Sequence, residues 1–368
     1  MKIAFIGQKG IPAKTGGVEK HVECLATSLA KMGHEITVYS HRNYNNLKQY
    51  QGVNIIPVSV IPFKNLEAIS YTFLASLKVI FQKVDLIHFH SIGPASMIWL
   101  VKLFKPKTPI VFTFHCQDYH HQKWGKFARL YLRFGEYVGN KLADKVIVVS
   151  KELKEYATKK YNNNPEYVPN GTAHEFGQIN DNLIKKFGLE SGKYLLTTSR
   201  LVRHKGLQYL IPAFKALKHK KYKLVIAGDA AYTDDYVSEL KAMAEGDDNI
   251  IFVGNQQGET LEALYKNAKV FVQPSESEGL SIALLEAMSF GSLIVSSDIV
   301  ANVESVEDGA LLFKTKDVAD LEDKLNQALE LNEDQANVFK TKVKEKVKNE
   351  YSWPQISTNI VKLYQVLT

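Results

Sequence analysis

Two carboxylates open the chemistry of this sequence. In SESEGLSIALLE (275–286), Glu278 stands just before a helix predicted over IALLEAMSF, and Glu286 stands two turns into it, with seven residues between them. A helix start presents unpaired backbone N–H groups and the positive end of the helix dipole, so it favours an anion. The N–H groups of Leu280 and Ser281 would form that anion site. Gly279 lets the chain turn sharply, Ser281 can cap the helix and Gly291 can close it. A carboxylate only accepts hydrogen bonds, so Glu286 suits a ribose diol, and Glu278, at the mouth, would face a sugar joined to the bound phosphate. The plain alternative is a helix with ordinary surface acids. It fits Glu286 less well, because that residue lies amid ALLEAM.

Other strand-to-helix turns carry matching chemistry. SRLVRHKG (199–206) places Arg200 and Lys205 in one loop after a strand. The planar guanidinium fork and the compact ammonium together suit a diphosphate, although two solvated charges on a loop would look the same. GQKGIPAKTGG follows the first strand and has neither the dinucleotide nor the phosphate-loop glycine spacing. Gly16 and Gly17 immediately precede a helix, so either a phosphate approaches the backbone there or the turn merely needs positive φ.

These turns need a scaffold that delivers them. The chain alternates strand and helix from its start. Strands are expected at 2–7, 35–40, 85–90, 109–115 and 145–150, then at 194–200, 223–229, 250–254, 269–275 and 292–298. Helical spacing runs from Val18 to Gly33, over 66–82, 94–104 and 125–142, then over 206–218, 234–244, 259–267 and after Ser281. Two β-α series imply an α/β protein of two doubly wound, Rossmann-like domains, which bind ligands beyond the carboxyl ends of their strands, here in the cleft between those edges. The expected domains are 1–170 and 171–352, with a final helix (353–368) that packs back on the first. A hinge rather than a tether is expected near YVPNGT.

The 368 residues are long enough for two cores, and no low-complexity tract or short repeat occurs. The net charge of +7 favours anionic partners, but the basic residues are scattered and no nucleic-acid recognition motif is present. Cys24 and Cys116 read as free thiols of a reducing compartment. The first residues read as a strand, not a signal peptide, and no apolar run approaches the ~18 residues of a spanning helix. A cytoplasmic protein, with any membrane contact at its surface, is the expectation.

The chain resembles the retaining glycosyltransferases of family 4, which have the two-domain GT-B fold. The likeness covers nearly the whole length and rests on GGVEKHV, PNG at the domain junction, SRLVRHKGL, PSESEGLSIALLEAMSFG with its two spaced glutamates, and YSW before the last helix. The first domain is also similar to a subgroup containing rhamnosyltransferases, through MKIAFIGQKGIPAKTGGVE and KWGKFARLYLRFGE. The resemblance implies a nucleotide-sugar donor (UDP-, dTDP- or GDP-linked) and a glycan or lipid-linked saccharide acceptor in surface polysaccharide synthesis. It implies that Gly16 and Gly17 approach the donor phosphate and that Arg200 and Lys205 bind the diphosphate. Glu278 would contact the transferred sugar and Glu286 the ribose, with the backbone of Gly279, Leu280 and Ser281 on the phosphates. His115, ending VFTFH, would be the active-site histidine beside the sugar. Glu304, in IVANVESVEDG, matches the family only loosely and receives no role.

A retaining transfer through a covalent intermediate needs a carboxylate nucleophile, for which no clearly placed candidate exists. Front-face attack is the reading the family implies, with the leaving phosphate taking the acceptor's proton. No metal and no cofactor are expected. Asp-x-Asp is absent; HFH (88–90) and His120–His121 could suggest a metal, but His88 and His90 point to one face of a strand with no acidic or cysteine partner identified for them. KLFKPK (102–107) and KWGKFARLYLRFGEYVGNK (123–141) mix cations with aromatic residues. They are read either as a face for an anionic membrane or as an amphipathic helix packed on the sheet with its charges solvated. Two other functions fit the fold: a nucleotide-sugar 2-epimerase, for which no extra acid–base carboxylates are identified, and a non-catalytic nucleotide-sugar binding module.

Overall fold

The computed structural model describes residues 1–368 apart from 15, 62–65, 121–123, 174–175, 220 and 231–232. His121 and Lys123, singled out above, therefore lie outside the described residues. The chain packs as two compact units: Met1–Asn170 with Trp353–Thr368, and Gly171–Ser352.

The first unit holds an eight-stranded sheet of β1 (Lys2–Ile6), β2 (Glu35–His41), β3 (Gln49–Tyr50), β4 (Val53–Val58), β5 (Leu86–His90), β6 (Ile110–Phe114), β7 (Lys145–Val148) and β8 (Glu166–Tyr167). Their order is β3-β4-β2-β1-β5-β6-β7-β8, parallel except for the β3–β4 edge. β5 and β6 are buried at every position, as befits parallel strands covered on both faces. From β1 the chain moves to β2 and β4 on one side and then to β5 on the other. The switch point therefore lies between β1 and β5. Helix Gly17–Lys31 sets Val22, Leu25 and Leu29 into the core, where the closing helix Trp353–Leu367 adds Ile356, Ile360 and Tyr364.

The second unit holds a six-stranded, all-parallel sheet: β9 (Tyr194–Thr198), β10 (Lys223–Ala227), β11 (Ile250–Gly254), β12 (Val270–Gln273), β13 (Ile294–Ser297) and β14 (Leu311–Phe313). The order β11-β10-β9-β12-β13-β14 places its switch point between β9 and β12. Leu195, Ile226, Val272 and Val295 of the strands pack against Leu207, Leu210 and Phe214 of helix Leu207–Ala216 and Leu321 and Leu325 of helix Val318–Glu330.

Some elements differ from the sequence reading. The helix expected over 94–104 is two segments, Ile92–Ala95 and Ile98–Phe104. Between them Ser96 and Met97 donate to Gly93 and Pro94, so the bonds tighten to the i→i−3 pattern and the axis restarts. β4, β14 and helices Lys151–Tyr161, Val318–Glu330 and Glu333–Glu350 had no assignment.

Candidate functional site

The second unit brings its predicted residues to one switch point. Adjacent strands β9 and β12 each end in a loop, and the two loops are pressed together. At Gly206 (φ +76°) an added Cβ would stand 1.8 Å from the carbonyl oxygen of Pro274, so only glycine fits. The backbone N–H of Glu276 donates to the carbonyl of His204 at 2.8 Å. Glu276 itself is structural: it accepts from Gln208 (3.0 Å) and Tyr209 (2.8 Å) and pairs with Lys316.

Lys205 and Glu278 meet directly. Lys205 Nζ lies 2.5 Å from Glu278 Oε1, with the two side chains only 14 and 10% exposed. Gln273 Nε2 (3.0 Å) and Ser275 Oγ (2.6 Å) donate to the same oxygen. Three donors thus fix Oε1, while Oε2 receives no donor among the described residues. Arg200, half-buried at the end of β9, forms no ion pair among the described residues. Beyond the loop, Ser281 caps helix Ile282–Ser289 by accepting from the N–H of Leu284 at 3.3 Å, and Gly291 follows it at φ +67°. Gly279 is half-buried, and Leu280 and Ser281 are buried. Glu286, half-buried on that helix, accepts from Tyr265 Oη at 3.0 Å. The Tyr265 ring stacks on Phe290, which stacks in turn on Phe176. Burial first, and then the Glu286 charge, raise the Tyr265 phenol well above its ordinary value, so its proton stays to donate.

In the first unit the site is histidine. His90, at the end of β5, has Nδ1 3.2 Å from His115 Nε2, and His115 follows β6. His21, one turn into helix Gly17–Lys31, packs edge-on against His115 at 4.8 Å between ring centroids. Asn170 Oδ1 lies 2.9 Å from His21 Nδ1, and the Trp353 ring packs on the same imidazole. One strand turn back from His90, His88 bonds to Tyr364 Oη (2.6 Å) and Thr113 Oγ1 (2.7 Å). All four rings are buried. Burial, opposed by the Asn170 bond, lowers His21 to about 4. His88, His90 and His115 fall well below their ordinary value, through burial and then through one another. The cluster is neutral near pH 7.

His21, His90 and His115 each offer a ring nitrogen, all within 4.8 Å of one another. Three neutral imidazoles are a set that zinc or a related ion accepts. Sequence reading considered His88 with His90 and missed His21. The signal was present. His21 falls on the apolar stripe of Val18, Val22, Leu25 and Leu29, where a polar ring needs a partner.

Gly16 is the N-cap of helix Gly17–Lys31 at φ +97°, and a Cβ there would meet Glu19 Oε2 at 2.3 Å. The turn thus does require positive φ. Glu19, in the first helical turn, accepts from the N–H of Lys9 at 3.1 Å, so an acid already occupies part of this helix start.

Comparisons with known proteins find matches along most of the chain. Residues 15–176 match the family described as Glycosyltransferase Family 4, and residues 180–346 match Glycosyl transferases group 1. An uncharacterized glycosyltransferase of Methanocaldococcus jannaschii is 29% identical, over 100% of this chain and 98% of its own. The alpha-monoglucosyldiacylglycerol synthase of Streptococcus pneumoniae is 27% identical over 80% of this chain and 71% of its own. Among solved structures, the sucrose-phosphate synthase of Thermosynechococcus elongatus has a TM-score of 0.86 at 20% identity, covering 100% of this chain and 98% of that one. Anabaena HepE, in complex with UDP and glucose, has a TM-score of 0.83 at 18% identity with both chains fully covered.

Proposed function

The chain is a GT-B glycosyltransferase of the family 4 type, and on that premise we propose that it transfers a sugar with retention from a nucleoside diphosphate to a glycan or lipid-linked saccharide. Surface polysaccharide assembly is the setting this reading favours, and dTDP-rhamnose or a UDP-sugar the donor. One observation carries it: the ion pair of Lys205 and Glu278, with Arg200 on the same loop, at the switch point of the second sheet.

Lys205 and Arg200 bind the diphosphate and neutralise the charge that builds on it as the glycosidic bond breaks. The sugar passes through an oxocarbenium-like state, and the leaving phosphate takes the proton of the attacking hydroxyl. Glu278, anchored through Oε1, directs Oε2 to a sugar hydroxyl. Glu286 holds the ribose diol. Gly279, Leu280 and Ser281 supply backbone to the phosphates, and Gly16 and Gly17 are assigned to the same group. His115 is the catalytic histidine, a neutral hydrogen-bonding group. His90 and His21 position it: His90 through Nδ1, and His21 through ring packing fixed by Asn170 and Trp353. The chemistry requires no metal, and activity should persist in EDTA.

A thermal-shift panel of UDP, dTDP and GDP, followed by donor hydrolysis with the matching sugars, tests the reading. One nucleotide should stabilise the protein, and its sugar should be released with the anomeric configuration kept. No shift with any diphosphate, or an inverted product, would overturn it.

A further inference from the structure

Helix Lys126–Leu142 turns its largest apolar side chains to water. Phe127, Leu130, Phe134 and Tyr137 are 91, 67, 48 and 55% exposed. Their spacing of three, four and three residues puts them on one stripe. The inward face carries Leu132 and Val138 together with two glycines. An added Cβ at Gly135 would stand 1.9 Å from the carbonyl oxygen of Ile92, and one at Gly139 would meet Phe112 at 2.6 Å. The helix's only acid, Glu136, is fully buried. It accepts from Tyr156 Oη (2.7 Å), Lys160 Nζ (2.8 Å) and the Tyr161 hydroxyl. Flush glycines and a buried, bonded carboxylate fix the helix rotation, so the aromatic face points outward by construction. The helix does pack on the sheet with its charges exposed, Leu132 and Val138 being buried, but its aromatic residues Phe127, Phe134 and Tyr137 stay on the outer side.

Lys126, Arg129, Arg133 and Lys141 are exposed on the same helix, and Lys126 and Arg129 form no ion pair among the described residues. The adjoining helix Ile98–Phe104 exposes Trp99, Leu103 and Phe104 as well, and Lys107 follows it. No described helix is long and apolar enough to cross a membrane. Exposed aromatic and leucine side chains with cations beside them, and no exposed acid on the helix, match an anionic lipid surface: the rings enter the acyl boundary while the cations meet headgroup phosphates.

We propose that Phe127, Leu130, Phe134 and Tyr137, with Lys126 and Arg129, form a docking face for an anionic membrane. This deepens the lipid-linked acceptor reading, since it brings the enzyme to the surface where such an acceptor resides. The test requires no sugar nucleotide, so its failure is separate from failure of the transferase assignment. The full chain is sedimented with phosphatidylcholine vesicles, with and without phosphatidylglycerol, at low and high salt. The wild type should bind the phosphatidylglycerol vesicles at low salt and far less of the neutral ones. Phe127→Ser with Phe134→Ser, and separately Lys126→Glu with Arg129→Glu, should each weaken binding at least about tenfold. Both pairs are at the surface, and an unchanged melting temperature and far-UV circular dichroism spectrum report an intact fold. No binding to phosphatidylglycerol vesicles at low salt overturns the proposal, as does binding that both variants keep. A dimer in size exclusion that the serine variant dissociates also overturns it, by assigning the face to a second copy.

Discussion

The candidate sites of the two units carry opposite electrostatics. The second carries charged side chains: Lys205 paired with Glu278, Arg200 on the same loop as Lys205, and Glu286 on the helix that follows. The first relies on buried rings that have lost their charge: His21, His88, His90 and His115. A diphosphate is charged throughout its bound life, so fixed cations suit it. A neutral imidazole contributes direction and shape, and it remains neutral only while burial holds its proton affinity down. The contrast teaches that acid should act on the first unit through its buried imidazoles.

The strongest test of the charged side is removal of its cations. Arg200→Ala or Lys205→Ala should lower turnover by about 10²–10³, or about 3–4 kcal/mol, as measured by steady-state kinetics with the matching donor. Near-normal turnover in both variants would break the comparison outright.

Next in size is the acid response of the neutral side. His21 binds its proton more weakly in the folded protein than in the unfolded chain, where it titrates near 6.5. Its contribution is therefore complete above pH 6.5 and is lost as the pH falls towards 4, to a total of about 3 kcal/mol. His41, also held near 4 by burial against the pull of Glu67, acts in the same direction. Urea unfolding at pH 7 and pH 4.5 should show the loss, and His21→Gln should flatten the profile. An unchanged slope in that variant would remove His21 as its source.

A smaller effect separates binding from turnover in the second unit. Glu286→Ala should raise the donor KM roughly 10- to 100-fold, the worth of a hydrogen bond to a charged group, with kcat nearly kept. An equal loss in kcat would move Glu286 from ribose binding to the chemical step. The smallest expectation returns to the histidines. Tyr364→Phe removes the hydroxyl 2.6 Å from His88 Nδ1 and should cost about 1 kcal/mol of stability. A silent variant would mean that this bond adds nothing.

How much of this was legible in the sequence follows from the range of each signal. β1, β5 and β6 are short apolar runs at parallel-strand length, and they read directly. The loops with Arg200 and Lys205, and with Glu278 to Glu286, read as candidate anion sites because glycine, capping serine and charge are neighbours in sequence. That Lys205 and Glu278 touch was not legible: the contact spans 73 residues and arises from sheet order alone. His21 showed as a polar ring on an apolar stripe, but its partners were not legible for the same reason, since His90, Asn170 and Trp353 come from distant segments. Helix Glu333–Glu350 has charge on most of its turns and only Ala336, Val343, Lys346 and Val347 buried, too sparse a stripe to read. The outward rings of helix Lys126–Leu142 needed the glycines and Glu136 opposite them to be placed first.

The chain leaves its first unit after Asn170 and returns at Trp353, and both residues lie against His21. On the other side of those crossings, the N–H of Thr172 bonds the carbonyl of Tyr351 at 2.8 Å. On the ribosome, then, the opening segment must wait through the whole of the second unit for its last helix. At about 5–20 residues per second, that interval is on the order of ten to forty seconds. A nascent chain released before Trp353 would carry an entire second sheet, yet it would lack the indole that packs on His21 and the phenol that holds His88.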